Sequence, residues 1–288
     1  MSNVAELNKK ALLVNLNISA WTARRYDKVV TQEVAANHNT SVKVGRYNKN
    51  LLPVDCPEFS KLNTTIGETR KAYYEQTLPW LDRSGRILPA KNFMICSGIL
   101  RQKNSEFTNA VDEFVQVYPG VVSQSLAMLN GLATLIDYPK PHDIKSYFSF
   151  ELKFFPMPDK EDFRVDLQSE TVDAIKAQIE QSTQEALAGA MRDLFTRLHT
   201  VVAAMATALT EPDKRFHDTL VSNIEKVCSI VPELNLTEDT ELDALCNQIK
   251  NELVVSPDTL RESPVYRQQI AAQAKAIETK LADYAFLK

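Results

Sequence analysis

The strongest constraint on the fold is a helical pattern that extends over residues 169–209. Apolar side chains recur every three or four positions along it, at Val172, Ile175, Ile179, Leu187, Ala190, Leu194, Leu198, Val201, Met205 and Leu209. This spacing predicts one long amphipathic helix, which Pro212 would stop. At 1.5 Å per residue the helix would be roughly 60 Å long. Because such a rod exceeds a compact domain, we expect it either to be kinked near Ala188 and Gly189 or to act as a spine for assembly.

Two stretches with a period of two predict strands. Residues 12–19 carry an apolar side chain at every second position, and residues 148–154 place four apolar side chains on one face. A third short strand is predicted at residues 163–167. Pairing of the first two strands gives a small antiparallel sheet in a mostly helical body. The predicted fold class is therefore mainly α with a small antiparallel β-sheet, an α+β fold.

Helical spacing also covers much of the remaining chain. Ser19 is the expected N-cap of the first of these helices, Val34 is expected to face inward on it, and Pro119 with Gly120 is expected to separate two others. Residues 77–89 are expected to turn back on themselves. The additional helices are predicted at residues 20–37, 59–76, 90–118, 121–136, 214–230, 239–254 and 264–286. The last one has apolar spacing over only about two heptads, so we expect it to pack on its own core rather than form a coiled coil.

Domain organisation is predicted from charge and from the change in pattern after the second strand. Residues 1–91 contain fourteen Lys and Arg against eight Asp and Glu, whereas residues 92–288 contain nineteen against twenty-nine. We therefore expect a basic N-terminal α+β region at residues 1–158 and an acidic C-terminal helical region at residues 159–288, either as two domains or as one continuous domain. The basic region is suited to an anionic partner, or to the acidic region of the same or another copy.

Several classes of protein are disfavoured by composition. The chain has only seven glycines, which argues against glycine-rich nucleotide sites. Its four cysteines lie far apart without a CxxC pair, so we expect reduced, mostly buried thiols rather than a zinc site or a disulfide frame. No cofactor or metal is predicted. No run of about 18 apolar residues occurs, and the N-terminus is too polar for a signal peptide, so we expect a cytoplasmic protein without membrane contact.

Basic residues alternate with aromatic residues near the start of the chain. The tetrapeptide RYDK at residues 25–28 is echoed by RYNK at residues 46–49. Lys43 belongs to the same basic stretch. Cations and rings of this kind bind phosphates and stack on bases, but Arg and Tyr also anchor protein interfaces. For a chain of net charge −4 we favour a protein interface. The candidate binding residues are Arg24, Arg25, Tyr26, Lys28, Arg46, Tyr47, Lys49, Arg83 and Arg86.

An enzymatic alternative rests on the second strand. Glu151 and Lys153 lie two residues apart there, and Asp137 or Asp143 precedes them. Metal-dependent nucleases use this arrangement, in which two carboxylates hold Mg²⁺ beside the phosphate and the lysine steadies the attacking water. An ordinary surface ion pair on an amphipathic strand has the same pattern. We therefore favour a non-enzymatic protein, with Glu151, Lys153 and Asp143 as weak catalytic candidates.

Five segments of the chain carry a resemblance. They read LLVNLNISAWTARRYDK, GRYNKNLLP, LPWLDRSGRILPA, FSFELKFFPMPDKEDFRV and PDKRFHDTLVS. Together they resemble a family of uncharacterised proteins of bacteriophages and conjugative elements, over nearly the whole chain. That family has no established activity, so the resemblance implies no catalytic residues. It does imply a setting, because genes of this kind often lie near one for a MoxR-like or cobaltochelatase-like AAA+ ATPase, which is therefore an expected partner.

Three functional hypotheses follow from these patterns. The first is a non-enzymatic helical assembly or adaptor protein of a phage or mobile element, which self-associates head to tail in the bacterial host cytoplasm. The second is a single-stranded nucleic-acid-binding or annealing protein that acts in phage replication or recombination. The third is the Mg²⁺-dependent nuclease. We expect the first, with a homo-oligomer as its working form.

Overall fold

The computed structural model describes residues 4–81, 85–158, 169–211 and 215–285. The helices of these residues are α1 (Val4–Lys10), α2 (Lys28–Asn37), α3 (Pro57–Glu75), α4 (Phe93–Leu129), α5 (Ser169–Thr210), α6 (Thr219–Leu234), α7 (Thr240–Leu253), α8 (Pro257–Glu262) and α9 (Pro264–Ala285). The strands are β1 (Ala11–Ser19), β2 (Arg24–Tyr26), β3 (Asn48–Asn50), β4 (Leu78–Pro79), β5 (Arg86–Pro89) and β6 (Ser149–Pro156). None of the described helices is both long and apolar enough to cross a membrane.

Strand β1 lies between β5 and β6 in the small sheet. The strand order is β4-β5-β1-β6, and β1 pairs antiparallel with β5, so that Leu12 lies opposite Leu88. Strands β4 and β5 form the turn back that residues 77–89 predict. The predicted fold class, mainly α with a small antiparallel sheet, is therefore confirmed. The strand predicted at residues 163–167 lies outside the described residues.

The chain divides into two compact units, each built from segments that are distant in sequence. Unit 1 consists of Met1–Asn15, Tyr73–Ser97 and Lys153–Lys288, and unit 2 consists of Leu16–Ala72 and Gly98–Leu152. The predicted division after residue 158 differs from these units, because segments of the two units alternate along the chain and no single boundary separates them.

Helix α5 forms one wall of the core of unit 1. Its 42 residues continue through Ala188 and Gly189, so the predicted long helix is confirmed as one element. Helix α9 packs against α5, and the Phe195 and Tyr284 rings stack with centroids 5.0 Å apart. The last predicted helix thus packs on the core of its own unit, as expected. The buried residues on the two facing helices include Ala190, Leu194, Leu198, Val202, Met205, Leu209, Ile270, Ala274, Ile277 and Leu281.

An aromatic cluster forms the centre of unit 2. The ring centroid of Phe114 on α4 lies 5.2 Å from that of Phe59 on α3 and 5.9 Å from that of Phe148. Trp21 contacts Tyr118 edge to face, with centroids 5.7 Å apart. Such tilted and edge-to-face pairs stabilise a core beyond the burial of their area. The cluster therefore joins α3 and α4 to Trp21, which follows β1, and to Phe148, which directly precedes β6.

Helix α4 continues through Pro119, so the predicted separation of two helices at Pro119 and Gly120 is wrong. Proline removes one backbone N–H and usually kinks or ends a helix. Here Phe114 before the proline and Val122 after it are buried in the same core. This packing holds both parts in one helix, which ends at Leu129.

Helix α2 begins at Lys28, so the prediction that Ser19 caps a helix over residues 20–37 is wrong. The N-cap is Asp27, whose carboxylate accepts a hydrogen bond from the N–H of Val30 at 3.1 Å. The residues just before it form strand β2 because they pair with β3, which lies more than twenty residues later in the sequence. A local helical pattern does not reveal such a distant partner.

All four cysteines are buried and have free thiols, as their spacing predicts. Burial raises the pKa of Cys96 to about 11 and also raises the pKa of Cys56. The thiols of Cys56 and Cys96 therefore stay protonated near neutral pH and behave as small apolar side chains.

Two arginines bind the carbonyl ends of helices in unit 1. At the end of α5, the buried guanidinium of Arg267 donates hydrogen bonds to the carbonyl oxygens of Ala208 and Glu211 at 3.0 and 2.6 Å. The last carbonyl groups of a helix have no partner inside it, and the helix dipole favours a cation there. Arg267 therefore supplies donors that the helix itself lacks.

The second carbonyl end belongs to α3. The guanidinium of Arg197 on α5 donates to the carbonyl oxygens of Tyr74, Glu75 and Thr77 at 3.0, 2.8 and 2.6 Å. Asp193, one turn earlier on α5, accepts from the same guanidinium at 2.8 Å. This side chain thus links the last turn of α3 to α5 inside unit 1.

We expect Arg267→Met to lower the free energy of unfolding by about 3 kcal/mol, because it leaves partly buried carbonyl groups at the end of α5 without their charged donor. Urea denaturation followed by circular dichroism measures this loss. The matched control is Arg261→Met, because Arg261 stacks on the same Phe216 ring but forms exposed ion pairs with Asp218 and Asp258. An equal loss in both variants would contradict a special role for the carbonyl contacts.

Candidate interaction surface

The two similar tetrapeptides pair with each other in the structure. Strands β2 and β3 form a two-stranded antiparallel ribbon in unit 2, in which Arg25 lies opposite Lys49 and Tyr26 lies opposite Asn48. We call these two strands the ribbon. Beyond its end, the N–H of Asp27 donates to the carbonyl oxygen of Tyr47 at 2.9 Å. The pairing of β2 with β3 therefore places the cations and rings of RYDK and RYNK side by side.

Lys49 is bound inside unit 2. Its Nζ lies 3.2 Å from a carboxylate oxygen of Asp27 and 3.0 Å from one of Asp137, and it donates to the carbonyl oxygen of Leu132 at 2.7 Å. Only 11% of the Lys49 side chain is exposed. Three acceptors match the three N–H groups of an ammonium. Lys49 therefore holds the ribbon to the segment that follows α4 and presents little charge to a partner.

Arg25 binds the same segment from the opposite strand. Its Nε lies 3.2 Å from Asp137, and one of its terminal nitrogens donates to the carbonyl oxygen of Ile136 at 2.6 Å. The carboxylate of Asp137 also accepts from the N–H of Thr134 at 2.9 Å. Asp137, one of the two candidate carboxylates upstream of the second strand, is thus engaged by two cations and a backbone N–H.

These contacts shift the pKa values of Asp27, Asp137 and Lys49 in the direction that favours their charged forms. The N–H of Val30 and the ammonium of Lys49 lower the pKa of Asp27. Partial burial tends to raise the pKa of Asp137, but the N–H of Thr134 and the cation of Lys49 outweigh it and lower the pKa. Burial likewise opposes the charge of Lys49, yet Asp137 and Asp27 raise its pKa. The network is therefore fully charged at neutral pH.

The remaining cations of residues 24–47 face solvent. Arg24, Lys28, Lys43 and Arg46 are exposed, and within the described part of the chain they form no ion pair. The guanidinium carbon of Arg46 lies 5.0 Å from the centroid of the Tyr26 ring, a cation–π contact. The sequence pattern does not distinguish among the basic residues of the two tetrapeptides, whereas the structure pairs Arg25 and Lys49 with carboxylates and leaves Lys28 and Arg46 without an ion pair in the described part of the chain.

An apolar groove lies next to these cations. One wall is α2, which contributes Thr31, Val34 and Ala35, together with its C-cap His38, and the other is the segment of residues 40–47. The volume of the groove is about 550 Å³. Val34, expected to face inward, lines this groove and is 49% exposed, so that expectation is wrong. We call the exposed side chains of residues 24–47 together with this groove the ribbon surface.

The ribbon surface exposes several large apolar side chains. Their relative exposure is 41% or more in each case, although such side chains favour burial. Sequence reasoning found the tyrosines but missed the valines, because a valine in a polar stretch gives no sign of which way it points. The side chains are Tyr26, Val29, Val34, Val42, Val44 and Tyr47.

Two of the candidate binding residues lie away from the ribbon in sequence. Arg86 belongs to unit 1, where it donates to the hydroxyl of Thr77 at 2.7 Å and to the Thr77 carbonyl oxygen at 3.0 Å, and its guanidinium stacks over Tyr74. Burial and the nearby Arg197 lower the pKa of Arg86. Arg86 therefore supports the end of α3. Arg83 lies outside the described residues.

The weak catalytic candidates do not form a metal site in the part of the chain that the structure describes. Glu151 and Lys153 are exposed on β6. The carboxylate Oδ1 of Asp143 lies 3.4 Å from Nε2 of His142. Among the described residues, no group of three His, Cys, Asp or Glu side chains is placed to hold a metal ion. The structure thus offers no support for the nuclease arrangement.

Comparisons of the chain with protein-family models, with curated proteins and with solved structures found no match.

We expect Lys49→Met to destabilise unit 2 by about 2 kcal/mol, because it leaves two partly buried carboxylates without their shared cation. Urea denaturation followed by tryptophan fluorescence, with Trp80→Phe in every variant, reports on this unit, since Trp21 lies in its core and Trp80 belongs to unit 1. Lys43→Met is the matched control, as Lys43 is exposed and forms no ion pair among the described residues. Equal stability of the two variants would rule out a structural role for the Lys49 network.

The ion pair between Lys49 and Asp137 should stabilise the protein less at very low pH and at very high pH. The pKa of Asp137 lies below its ordinary value of 3.8, so its stabilisation is complete above that value and is lost as the pH falls through the lowered pKa. The pKa of Lys49 lies above 10.5, so its stabilisation is complete below 10.5 and is lost as the pH rises through the raised pKa.

We therefore expect wild type to be more stable than Asp137→Asn by a constant amount between about pH 5 and about pH 9, with the difference shrinking below pH 3.8. Urea denaturation in a pH series measures it. Asp143→Asn, which alters an exposed carboxylate, is the control and should show no such trend. A difference that persists unchanged near pH 3 would contradict the assignment.

Proposed function

We propose that this chain is a non-enzymatic adaptor and assembly protein that binds protein partners, including further copies of itself, through the ribbon surface. One observation supports this most directly: large apolar side chains and cations without ion-pair partners among the described residues are exposed together within residues 24–47 of unit 2. Tyr and Arg are enriched at the energetic centres of protein interfaces, and Tyr26 with Arg46 is such a pair. Apolar area of this kind gains free energy when a partner covers it.

The charges of the two units favour a head-to-tail contact between copies. Unit 2 contains thirteen Lys and Arg against eleven Asp and Glu, whereas unit 1 contains twenty against twenty-six. The basic ribbon surface of one copy would therefore contact the acidic unit 1 of the next. A contact between two different surfaces closes into a ring or continues as a filament, depending on the rotation it imposes.

Single-stranded nucleic acid is the second candidate for the same surface. The exposed rings of Tyr26 and Tyr47 beside cations favour it, because such rings stack on bases. Two features favour protein instead. The guanidinium of Arg46 already lies over the Tyr26 ring. The lining of the groove also includes Val34, Ala35 and Val44, whose aliphatic side chains a phosphate backbone does not contact favourably.

The cellular setting of the proposal is the cytoplasm of a bacterial host, which the resemblance to phage and conjugative-element proteins implies. An AAA+ ATPase of the kind that this resemblance implies is a candidate partner for the ribbon surface. In this proposal the ion pairs of Lys49 and Arg25 attach the ribbon to unit 2, and the exposed cations favour an acidic partner.

Multi-angle light scattering after gel filtration tests self-association. We expect oligomers at micromolar concentration and low salt, and smaller species at high salt, because the exposed charges are screened. The double variant Lys28→Glu with Arg46→Glu should be monomeric at low salt. The double variant Lys71→Glu with Arg101→Glu changes the charge of unit 2 equally at exposed sites outside residues 24–47, and should assemble like wild type.

A wild-type protein that stays monomeric at low salt would contradict self-association. Equal loss of assembly in both double variants would show that only net charge matters, and would remove the ribbon surface as the contact. Electrophoretic mobility shift with a labelled single-stranded oligonucleotide, on the same variants, tests the nucleic-acid alternative. Salt-sensitive binding that is lost only in the ribbon variant would favour that alternative.

A further inference from the structure

We infer that the groove of the ribbon surface binds a short acidic segment of a partner protein, with aliphatic side chains in the groove and carboxylates at its rim. This inference rests on the proposed function and names the chemistry of the partner. Because the groove and the cations belong to one surface, a bound segment would compete there with a neighbouring copy of the chain.

The lining of the groove selects an aliphatic occupant. Its walls include Val34 and Ala35 from α2 and Val44 from the opposite segment. The volume of about 550 Å³ lies within the range of roughly 300–1,000 Å³ that is typical of ligand sites in proteins. Val34 and Val44 are 49% and 75% exposed, so their apolar area is available to an incoming side chain. An apolar side chain that fills the groove removes this area from water.

Hydrogen bonds hold the two walls of the groove together. The hydroxyl of Thr31 on α2 accepts from the N–H of Tyr47 at 3.0 Å and donates to the carbonyl oxygen of Asp27 at 2.6 Å. The N–H of Thr40 donates to the carbonyl oxygen of Ala35 at 2.9 Å. The groove is therefore formed before a partner arrives, which reduces the entropy that binding must offset.

The charges around the groove select an acidic occupant. Arg46 lines the groove itself, and Lys43 lies directly before Val44. On α2, a rotation of about 100° per residue places Lys28 about 70° from the centre of the groove face. Glu33 lies about 150° away from that centre by the same geometry, on the opposite side of the helix. The carboxylate of α2 therefore does not neutralise the cations at the rim.

Arg46 is placed to bind a carboxylate. One face of its guanidinium rests on the Tyr26 ring, at 5.0 Å from the centroid, which restricts the side chain without using its N–H groups. A guanidinium held in this way presents two parallel N–H donors at its edge to a carboxylate. The Tyr26 ring thereby orients the guanidinium of Arg46. A partner segment with an acidic residue next to an aliphatic one can bind this guanidinium through its carboxylate and place its aliphatic side chain in the groove.

Fluorescence anisotropy with labelled probe peptides tests the inference on the full chain. The probe has a pair of leucines flanked on both sides by aspartates. One comparison peptide replaces the leucines by serines, and another replaces the aspartates by lysines. A labelled single-stranded oligonucleotide is the fourth probe. Each is titrated with wild type at low and at high salt.

The variants separate the groove from the rest of the surface. Val44→Asp places a carboxylate in the groove, and Lys43→Glu reverses the charge of the residue directly before Val44. Val54→Asp and Lys71→Glu are the matched controls, since Val54 is 95% exposed and Lys71 is exposed, and neither lines the groove. We expect Val44→Asp and Lys43→Glu each to weaken binding of the aspartate-leucine probe by about tenfold or more, and the controls to leave it unchanged.

Preferential binding of the aspartate-leucine probe, with this pattern among the variants, supports the inference. Equal binding of the serine or lysine peptide would overturn it, because the groove or the charges would then play no part. If the oligonucleotide binds more tightly than the peptide and Lys43→Glu abolishes that binding, the surface binds nucleic acid instead of an acidic peptide.

One further outcome separates this inference from the function on which it rests. If no peptide binds but Val44→Asp abolishes self-association in light scattering, a second copy occupies the groove. The peptide inference then fails while the proposed assembly stands. If the peptide binds as expected but wild type is monomeric, self-association fails and the docking of an acidic partner stands.

Discussion

Cationic side chains bound to the carbonyl ends of helices are the interaction on which much of this structure depends. Long helices leave carbonyl groups without partners at one end, and in a crowded core water does not reach all of them. Arg197 and Arg267 supply donors at the ends of α3 and α5. Lys49 and Arg25 play the same part for the segment after α4, where they reach the carbonyl oxygens of Leu132 and Ile136.

The same interaction explains how the basic residues divide between structure and surface. In an antiparallel pair, residues directly opposite each other lie on the same side of the ribbon, so Arg25 and Lys49 reach one carboxylate, that of Asp137. The cations of the two tetrapeptides that do not reach it, Lys28 and Arg46, remain exposed. Arg25 and Lys49 therefore belong to the network around Asp137 because they lie opposite each other in the ribbon, whereas Lys28 and Arg46 lie outside its two strands.

The ribbon surface shows how a small local structure supports a proposed function. Two short strands alone are marginally stable, but the partly buried ion pairs of Lys49 attach them to unit 2. With the ribbon held in place, residues 40–47 stand opposite α2 and leave a groove between them. The valines that line it could not be assigned from the sequence, since Val34 fits the apolar face of a helix equally well. The buried residues of α2 are Thr31 and Ala35, so the helix packs through these two and Val34 stays exposed.

The amino-acid sequence by itself determined the elements whose signal is local and long. The period of residues 169–209 predicted α5, the alternation in residues 12–19 predicted β1, and the fold class followed from their combination. Only the tertiary structure decided that α4 continues through Pro119, that the two tetrapeptides pair, and which cations form ion pairs. These features depend on contacts between residues far apart in the chain, and a periodic pattern carries no record of such partners.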